Sequence, residues 1–209
     1  MIQLVVATRN KKKLSEIKEI LRGINLDLFS LDSYKDAPQV LENGRSFQEN
    51  AVKKAVKLAR FTGKFCLGED SGLCVDALDG APGIYSARFS GPTCRVGRDK
   101  SDLKNNLKLL NLLKSLPLAK RKAHYVCAVA LADKNGLLAA LEGSCSGLIA
   151  LEAKGSAGFG YDPLFYIPKY KKTFAQLGEK IKHKMSHRYH ALKKARRVIE
   201  KYIEKQVVN

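Results

Sequence analysis

The N-terminal segment combines a buried strand, a polar turn and an amphipathic helix, and this order restricts the fold. Residues 2–7 (IQLVVA) form an apolar run that is typical of a buried strand. Residues 11–22 carry apolar side chains at helical spacing, and Asn10 stands where a helix cap is expected. Because strand and helix alternate from the start, the sequence predicts an α/β fold.

The rest of the chain continues this alternation and concentrates strands in its middle. Ser46 and Glu49 form a capping box for a predicted helix that ends near Gly63. Residues 133–136 (DKNG) predict a hairpin between two β-like runs. The remaining predicted elements are strands at 64–67, 73–77, 123–132, 137–142 and 144–150, a helix at 103–116 and a C-terminal helix after Ser186. This order predicts a mixed sheet with helices on its faces. No linker-like composition marks a boundary, so we expect one domain over residues 1–209.

Composition indicates a globular protein of a reducing compartment. Of the 209 residues, 45% are hydrophobic, and no stretch of about twenty apolar residues or signal-peptide pattern occurs. The cysteines contain no Cys-x-x-Cys pair and fall mostly in β-like runs, where a free thiol packs as a small apolar side chain. They are Cys66, Cys74, Cys94, Cys127 and Cys145. We therefore expect a cytoplasmic protein without a membrane segment.

The net charge of +18 restricts the class of partner. Such an excess suits nucleic acid, and it equally suits a small polyanionic substrate. The basic residues are spread along the chain, and the dense run at 193–197 falls on the polar face of a predicted helix. We expect no specific binding of nucleic acid, although a basic nucleic-acid-binding module remains the alternative from another functional class.

Two adjacent carboxylates, Glu69 and Asp70, lie between two β-like runs. Acidic residues are depleted in strands, so this pair needs a reason. One reason is Mg²⁺, which proteins hold through one or two carboxylates plus substrate phosphates. A carboxylate beside such an ion can also accept the proton of an attacking water. A surface turn is the alternative, because Asp, Ser and Gly are common turn residues.

Three further segments suggest a nucleotide ligand. Lys11, Lys12 and Lys13 crowd the first turn of the N-terminal helix, where a polyphosphate would relieve their mutual repulsion. The alternative is a solvated basic helix start. The second segment is GFGYDP at 158–163, in which an aromatic ring between glycines can stack on a base. The alternative is a structural turn with buried aromatic side chains. In the third, His187 and Arg188 follow the predicted cap Ser186 and can donate to a carbonyl or phosphate oxygen.

Taken together, these segments resemble the inosine triphosphate pyrophosphatase family, also called XTP/dITP pyrophosphatases. Members of this family hydrolyse non-standard purine nucleoside triphosphates. The matching segments, in family order, are ATRNKKK at 7–13, Glu42, SFQENA at 46–51, EDSGL at 69–73, GAPGIYSARFSG at 80–91, GFGYDP at 158–163, Lys182 and SHR at 186–188. The ordered set covers nearly the whole chain.

The resemblance implies an elongated α/β protein with a mixed central β-sheet, flanking helices and two lobes around a substrate cleft. It implies a Mg²⁺-dependent homodimer that removes ITP, XTP and their deoxy forms from the nucleotide pool by releasing pyrophosphate. A pyrophosphatase for another modified nucleotide, such as a pyrimidine, is the alternative among enzymes.

The resemblance also implies roles for individual residues. Asp70 would orient or deprotonate the attacking water, and Mg²⁺ would be held by Glu42 and Asp70, with Glu69 as a further candidate. The substrate-binding residues would be Thr8, Arg9, Asn10, Lys11, Lys12, Lys13, Lys54, Ser71, Phe159, Gly160, Tyr161, Asp162, Lys182, His187 and Arg188. Two residues depart from the usual bacterial pattern, which often has aspartate at position 69 and glycine at position 9.

Overall fold

The computed structural model describes residues 2–91 and 98–208. In this part of the chain the strands are β1 Ile2–Val6, β2 Leu26–Ser30, β3 Phe65–Val75, β4 Lys122–Asp133, β5 Gly136–Ile149, β6 Phe165–Ile167 and β7 Lys172–Thr173. The α-helices are α1 Lys11–Ile20, α2 Phe47–Thr62, α3 Arg98–Leu112, α4 Phe174–Leu177, α5 Glu179–Lys182 and α6 His187–Val208. Cys94 lies outside the described residues.

The strands form one seven-stranded sheet in the order β2-β1-β3-β4-β5-β6-β7. β1 pairs in parallel with β2 and β3, whereas β6 pairs antiparallel with β5 and β7. The parallel pairs come from the early strand–helix alternation, and the antiparallel pairs from the strand-rich middle of the chain. The α/β class with a mixed sheet and flanking helices is therefore confirmed.

The chain divides into two compact units. The first contains the described residues up to Asp70, then Cys127–Gly143 and the described residues from His187 onward. Its core joins apolar side chains of β1, β3 and β4 with those of α1 and α6. The predicted C-terminal helix forms as α6, and its side chains Leu192, Ala195 and Ile199 are fully buried. Tyr202 of the same helix stacks on Phe65 with ring centroids 4.1 Å apart.

The second unit contains the described residues of Ser71–Val126 and Ser144–Ser186. Three aromatic rings lie at the centre of its core: the centroid of Phe165 is 4.7 Å from that of Tyr125 and 4.9 Å from that of Phe174. Arg121 is buried here, and its guanidinium donates to the carbonyl oxygens of Leu113 and Leu116 at 2.8 and 2.9 Å. Such donors satisfy the carbonyls that follow a helix end.

Three expected element boundaries are wrong. The acidic segment is not a turn between two strands, because β3 runs without interruption from Phe65 to Val75. β5 is likewise one strand, in which a Cβ on Gly143 would lie 2.3 Å from the backbone nitrogen of Ala191. Its glycine thus reflects a close approach of α6 and not a break. Helix α3 ends at Leu112 and not near residue 116. The guanidinium of Arg121 binds carbonyl oxygens that follow this helix end, among them that of Leu116.

The described cysteines are free thiols within strands, as expected. Burial raises the pKa of both Cys66 and Cys145 to about 11, so these thiols stay protonated and unreactive at neutral pH. Among the described helices, none is long and apolar enough to cross a membrane.

Candidate active site

A glycine brings helix α2 into direct contact with strand β3. A Cβ on Gly68 would lie 2.1 Å from the carbonyl oxygen of Ala51 and 2.6 Å from the nitrogen of Ala55. Only glycine permits this approach without a shift of the backbone. As a result, the side chains of Asn50 and Lys54, on the same face of α2, reach the carboxylate two residues beyond Gly68 on the strand.

That carboxylate belongs to Asp70, which is 7% exposed. Asn50 Nδ2 donates to Asp70 Oδ2 at 3.0 Å, and Lys54 Nζ donates to Oδ1 at 3.1 Å. The same ammonium contacts Glu42 Oε1 at 2.8 Å and the carbonyl oxygen of Glu69 at 3.0 Å. We call Asp70, Asn50, Lys54 and Glu42 the Asp70 group.

The electrostatics of the Asp70 group favour a charged lysine. Burial alone would lower the pKa of Lys54, but the carboxylates of Asp70 and Glu42 outweigh burial and raise this pKa above its ordinary value. Two carboxylates therefore share one ammonium, which is a formal count of one negative charge in excess. The sequence-derived residues Glu42, Lys54 and Asp70 are thus brought together.

The donor set of the Asp70 group fits a hard divalent cation. Its carboxylates are oxygen ligands of the kind that Mg²⁺ prefers, and two suffice when substrate phosphates complete the coordination. The described residues contain no cluster of three or more His, Cys, Asp or Glu that could hold a metal alone. This composition suits an ion that arrives with a phosphate ligand better than a permanent structural metal.

Glu69 lies in a different set of contacts, because successive residues of a strand point to opposite faces of the sheet. Arg188 Nη2 donates to Glu69 Oε1 at 2.9 Å, and Nε donates to Oε2 at 3.2 Å. Lys13 Nζ reaches Oε1 at 3.2 Å, and Arg188 Nη1 also contacts Glu16. We call these four residues the Glu69 group.

The Glu69 group is a buried and formally neutral ion network. Burial would lower the pKa of the Arg188 guanidinium, but Glu69 and Glu16 raise it well above its ordinary value. Sequence reasoning missed Glu16. The spacing of Glu16 from Lys13 could have indicated that the two residues belong to one site, because residues three apart lie on one face of a helix.

The N-terminal turn forms as predicted. Asn10 caps α1 by accepting hydrogen bonds from the backbone nitrogens of Lys12 and Lys13 at 3.1 and 3.4 Å. Thr8 Oγ1 accepts from the Asn10 nitrogen at 3.1 Å. The side chain of Lys13 points to Glu69, whereas Arg9, Lys11 and Lys12 are exposed to solvent.

In the second unit, the loop at 158–163 forms around the carboxylate of Asp162. Asp162 Oδ2 accepts from the Phe159 backbone nitrogen at 2.9 Å and from Lys182 Nζ at 2.7 Å. The Lys182 ammonium also lies 4.8 Å from the centroid of the Phe159 ring. Phe159, Asp162 and Lys182 are therefore brought together around one ion pair, which is buried.

Other sequence-derived residues have structural contacts. The Tyr161 hydroxyl is buried and donates to the carbonyl oxygen of Ser86 at 2.9 Å, and burial raises its pKa. Gly160 is held through its backbone by Asp102 and Asn106 of α3, which sequence reasoning also missed. Ser71 follows Asp70 on β3 and is partly exposed, whereas His187, the first residue of α6, is buried.

These features define an α/β protein with a buried carboxylate–lysine group and an aromatic loop held by an ion pair. A model of the Ham1 family matches residues 4–198, and the chain belongs to this family. The family resemblance inferred from the motifs is thus confirmed.

Curated relatives and solved structures agree with this membership. A dITP/XTP pyrophosphatase of Desulforamulus reducens is 47% identical over 207 residues, which cover 99% of this chain and 100% of that protein. One of Geobacter sulfurreducens is 47% identical over 192 residues, covering 92% of this chain and 94% of that protein. The structure of a HAM1 protein from Coxiella burnetii superposes with a TM-score of 0.84 at 35% identity, covering 96% of this chain and 100% of that chain.

Proposed function

We propose that this protein is a nucleoside triphosphate pyrophosphatase that hydrolyses ITP, XTP and their deoxy forms to the monophosphate and pyrophosphate. The observation that carries the proposal is the Asp70 group, in which a buried carboxylate, a shared lysine and a second carboxylate converge. The similarity to curated dITP/XTP pyrophosphatases over 92–99% of the chain supports the substrate class.

In the proposed reaction, water attacks the α-phosphorus of the substrate. The bond from this phosphorus to the bridging oxygen breaks, and pyrophosphate leaves with the bonding electrons. Asp70 orients the water and accepts its proton, while Lys54 offsets negative charge on the phosphates. Mg²⁺, when bound, would neutralise further phosphate charge. Glu42 and Asp70 would hold it, because their group has negative charge in excess.

We propose that Lys13 and Lys54 bind the triphosphate together with the capped turn of Thr8 and Asn10. The positive end of the helix dipole favours an anion there, although the Asn10 cap already accepts from the Lys12 and Lys13 nitrogens. The exposed residues Arg9, Lys11 and Lys12 add positive potential that attracts the substrate from solution. Ser71, next to Asp70, completes the proposed phosphate contacts.

For the base, we propose that Phe159 stacks on the purine while Asp162 accepts ring N–H groups. Hypoxanthine and xanthine offer O6 as an acceptor, whereas adenine has an amino group there. Donors such as Lys182 and His187 would therefore disfavour adenine. The resemblance also assigns Arg188 to this edge. Its contacts with Glu69 and Glu16 instead support a role in holding Glu69.

The decisive measurement is pyrophosphate release from ITP, XTP, GTP and ATP, with and without Mg²⁺. We expect Mg²⁺-dependent release that is fastest with ITP or XTP. Equal turnover of all four nucleotides would contradict the substrate assignment, and a panel of modified pyrimidine triphosphates would test the alternative enzyme. Tight oligonucleotide binding at physiological salt without pyrophosphate release would favour the nucleic-acid-binding alternative.

We further propose that the enzyme acts as a homodimer in the cytoplasm. This assembly follows from the family resemblance. Light scattering coupled to gel filtration measures it directly, and a monomer mass at micromolar concentration would contradict it.

A further inference from the structure

Helix α3 buries polar side chains and exposes apolar ones. Ser101, Asn105 and Asn106 are buried, whereas Leu103 and Leu107 are 60% and 57% exposed. Over residues 101–107 this is the reverse of the usual partition between core and surface, whereas Leu109 further along the helix is fully buried. The buried polar side of the helix therefore needs a reason other than core packing.

Two residues on that side bind the backbone of the aromatic loop. The Gly160 nitrogen donates to Asp102 Oδ2 at 2.8 Å, and Asn106 Nδ2 donates to the Gly160 carbonyl oxygen at 3.1 Å. Asp102 and Asn106 are one helical turn apart and thus hold both polar groups of a single residue. Gly160 has φ of +64°, a left-handed conformation that suits glycine, and it directly follows Phe159.

The loop is held on its other side as well. The Phe159 nitrogen donates to Asp162 Oδ2, and a Cβ on Gly158 would lie 2.0 Å from that same oxygen. Hydrogen bonds therefore hold the backbone at 159 and 160, and at 158 the close approach of Asp162 leaves room only for glycine. Since the backbone directs the Cα–Cβ bond, these contacts fix where the Phe159 ring can lie.

The amide of Asn106 has an energetic cost that an apolar side chain at this position would not have. Its Oδ1 atom is buried and has no hydrogen-bond partner among the described residues. Burying an acceptor without a partner is unfavourable, and a leucine would fill similar space without that penalty. The amide is therefore accounted for by its hydrogen bond to Gly160.

We propose that Asp102 and Asn106 are positioning residues that hold Phe159 in the orientation needed to stack on the purine base. This inference rests on the proposed function. Neither residue would touch the substrate, and each would act through the backbone of Gly160.

A neighbouring residue supplies a matched control. Asn105 lies on the same helix and is equally buried, but it donates to the carbonyl oxygens of Ser86 and Ala87 and accepts from the Ser90 nitrogen. Its amide therefore holds residues 86–90 and not the backbone of Gly160, although the Tyr161 hydroxyl donates to the same Ser86 carbonyl oxygen. Asn105→Ala should lower the thermal midpoint without a specific effect on base binding.

The test is a set of double-mutant cycles with Phe159→Ala, using KM and kcat for ITP and XTP, inhibition by pyrophosphate, and thermal midpoint. Asp102→Ala and Asn106→Leu should each raise KM roughly tenfold, the scale of a lost hydrogen bond that orders a binding group. Inhibition by pyrophosphate should stay unchanged. In the Phe159→Ala background the same changes should raise KM less than about twofold, because coupled residues are not additive.

Two further results separate positioning from general stability. Asp102→Asn should restore most of the affinity, since its amide oxygen can accept from the Gly160 nitrogen. Asn106→Leu should leave the thermal midpoint nearly unchanged while it raises KM, because it removes the buried acceptor Oδ1 but also removes the donor to the Gly160 carbonyl oxygen. A role confined to folding predicts instead that midpoint and affinity fall together.

The inference is overturned if either change raises KM equally with and without Phe159, or if Phe159→Ala itself leaves KM unchanged. It is also overturned if Asn105→Ala reproduces the coupling to Phe159. The proposed function fails separately, if the unaltered enzyme releases no pyrophosphate from ITP or XTP. If the unaltered enzyme is active and the Asp102→Ala and Asn106→Leu variants have the same KM as it does, only the positioning roles are overturned.

Discussion

Replacing Gly68 with alanine tests whether the Asp70 group depends on the close approach of α2 to β3. The added Cβ would lie 2.1 Å from the carbonyl oxygen of Ala51, and ordinary contact begins at 3.4 Å. The helix must therefore retreat by about 1.3 Å, the difference between these distances. The hydrogen bonds from Asn50 and Lys54 to Asp70, now 3.0 and 3.1 Å long, would stretch beyond hydrogen-bonding range.

A misplacement of this size lowers turnover by about a hundredfold in a preorganised site. Forcing a methyl group into a packed interface also destabilises a protein by about 1–3 kcal/mol. Gly68→Ala should therefore stay folded but lose about a hundredfold in kcat for ITP. The measurements are steady-state pyrophosphate release and urea unfolding of the same preparation.

Gly147→Ala is the matched control, because a Cβ on Gly147 of β5 would lie 2.7 Å from the carbonyl oxygen of Tyr166 in β6. The atoms nearest to this Cβ belong to Tyr166 and Phe165, so this variant should lose stability while kcat is largely kept. A folded Gly68→Ala enzyme with near-normal turnover would refute the argument. Equal losses of kcat in both variants would also refute it.

Three other substitutions test individual roles. Asp70→Asn keeps the shape but removes the proton acceptor, so kcat for ITP should fall at least about a hundredfold; a folded variant with near-normal turnover would exclude this role. Lys13→Ala should raise KM for ITP and weaken inhibition by pyrophosphate more than inhibition by the free base, and equal weakening would remove it from the phosphate site. Arg188→Ala leaves two buried carboxylates without their guanidinium, so it should lower stability by about 3–5 kcal/mol and reduce kcat/KM for ITP and ATP alike. If Arg188→Ala penalised ITP alone, the base-reading role implied by the resemblance would be right.

Local signals in the sequence predicted much of the fold. The Asn10 cap, the helix from Phe47 to Thr62 and its left-handed C-cap at Gly63 agree with the structure. The hairpin between β4 and β5 also forms at the predicted position. These features depend on a few neighbouring residues, and that is why sequence patterns report them.

Two features that depend on distant partners were not predicted. The sequence pattern of α3 suggested a leucine-rich helix, and it gave no sign that Asn106 would be buried against Gly160, 54 residues further on. Glu16 was missed for the same reason, since its partner Arg188 is 172 residues away in the sequence. Polarity alone cannot distinguish a solvated side chain from one that a remote segment satisfies.

Strand β3 explains why two adjacent carboxylates can have different roles. The alternation of side chains across a strand separates Glu69 from Asp70. Glu69 accepts from both Arg188 and Lys13, and with Glu16 its group is formally neutral, so it has little electrostatic attraction for another cation. The Asp70 group shares a single ammonium between two carboxylates and remains negative. This difference in formal charge supports the proposal that Asp70 and Glu42 would hold Mg²⁺, while Glu69 holds Arg188 and Lys13.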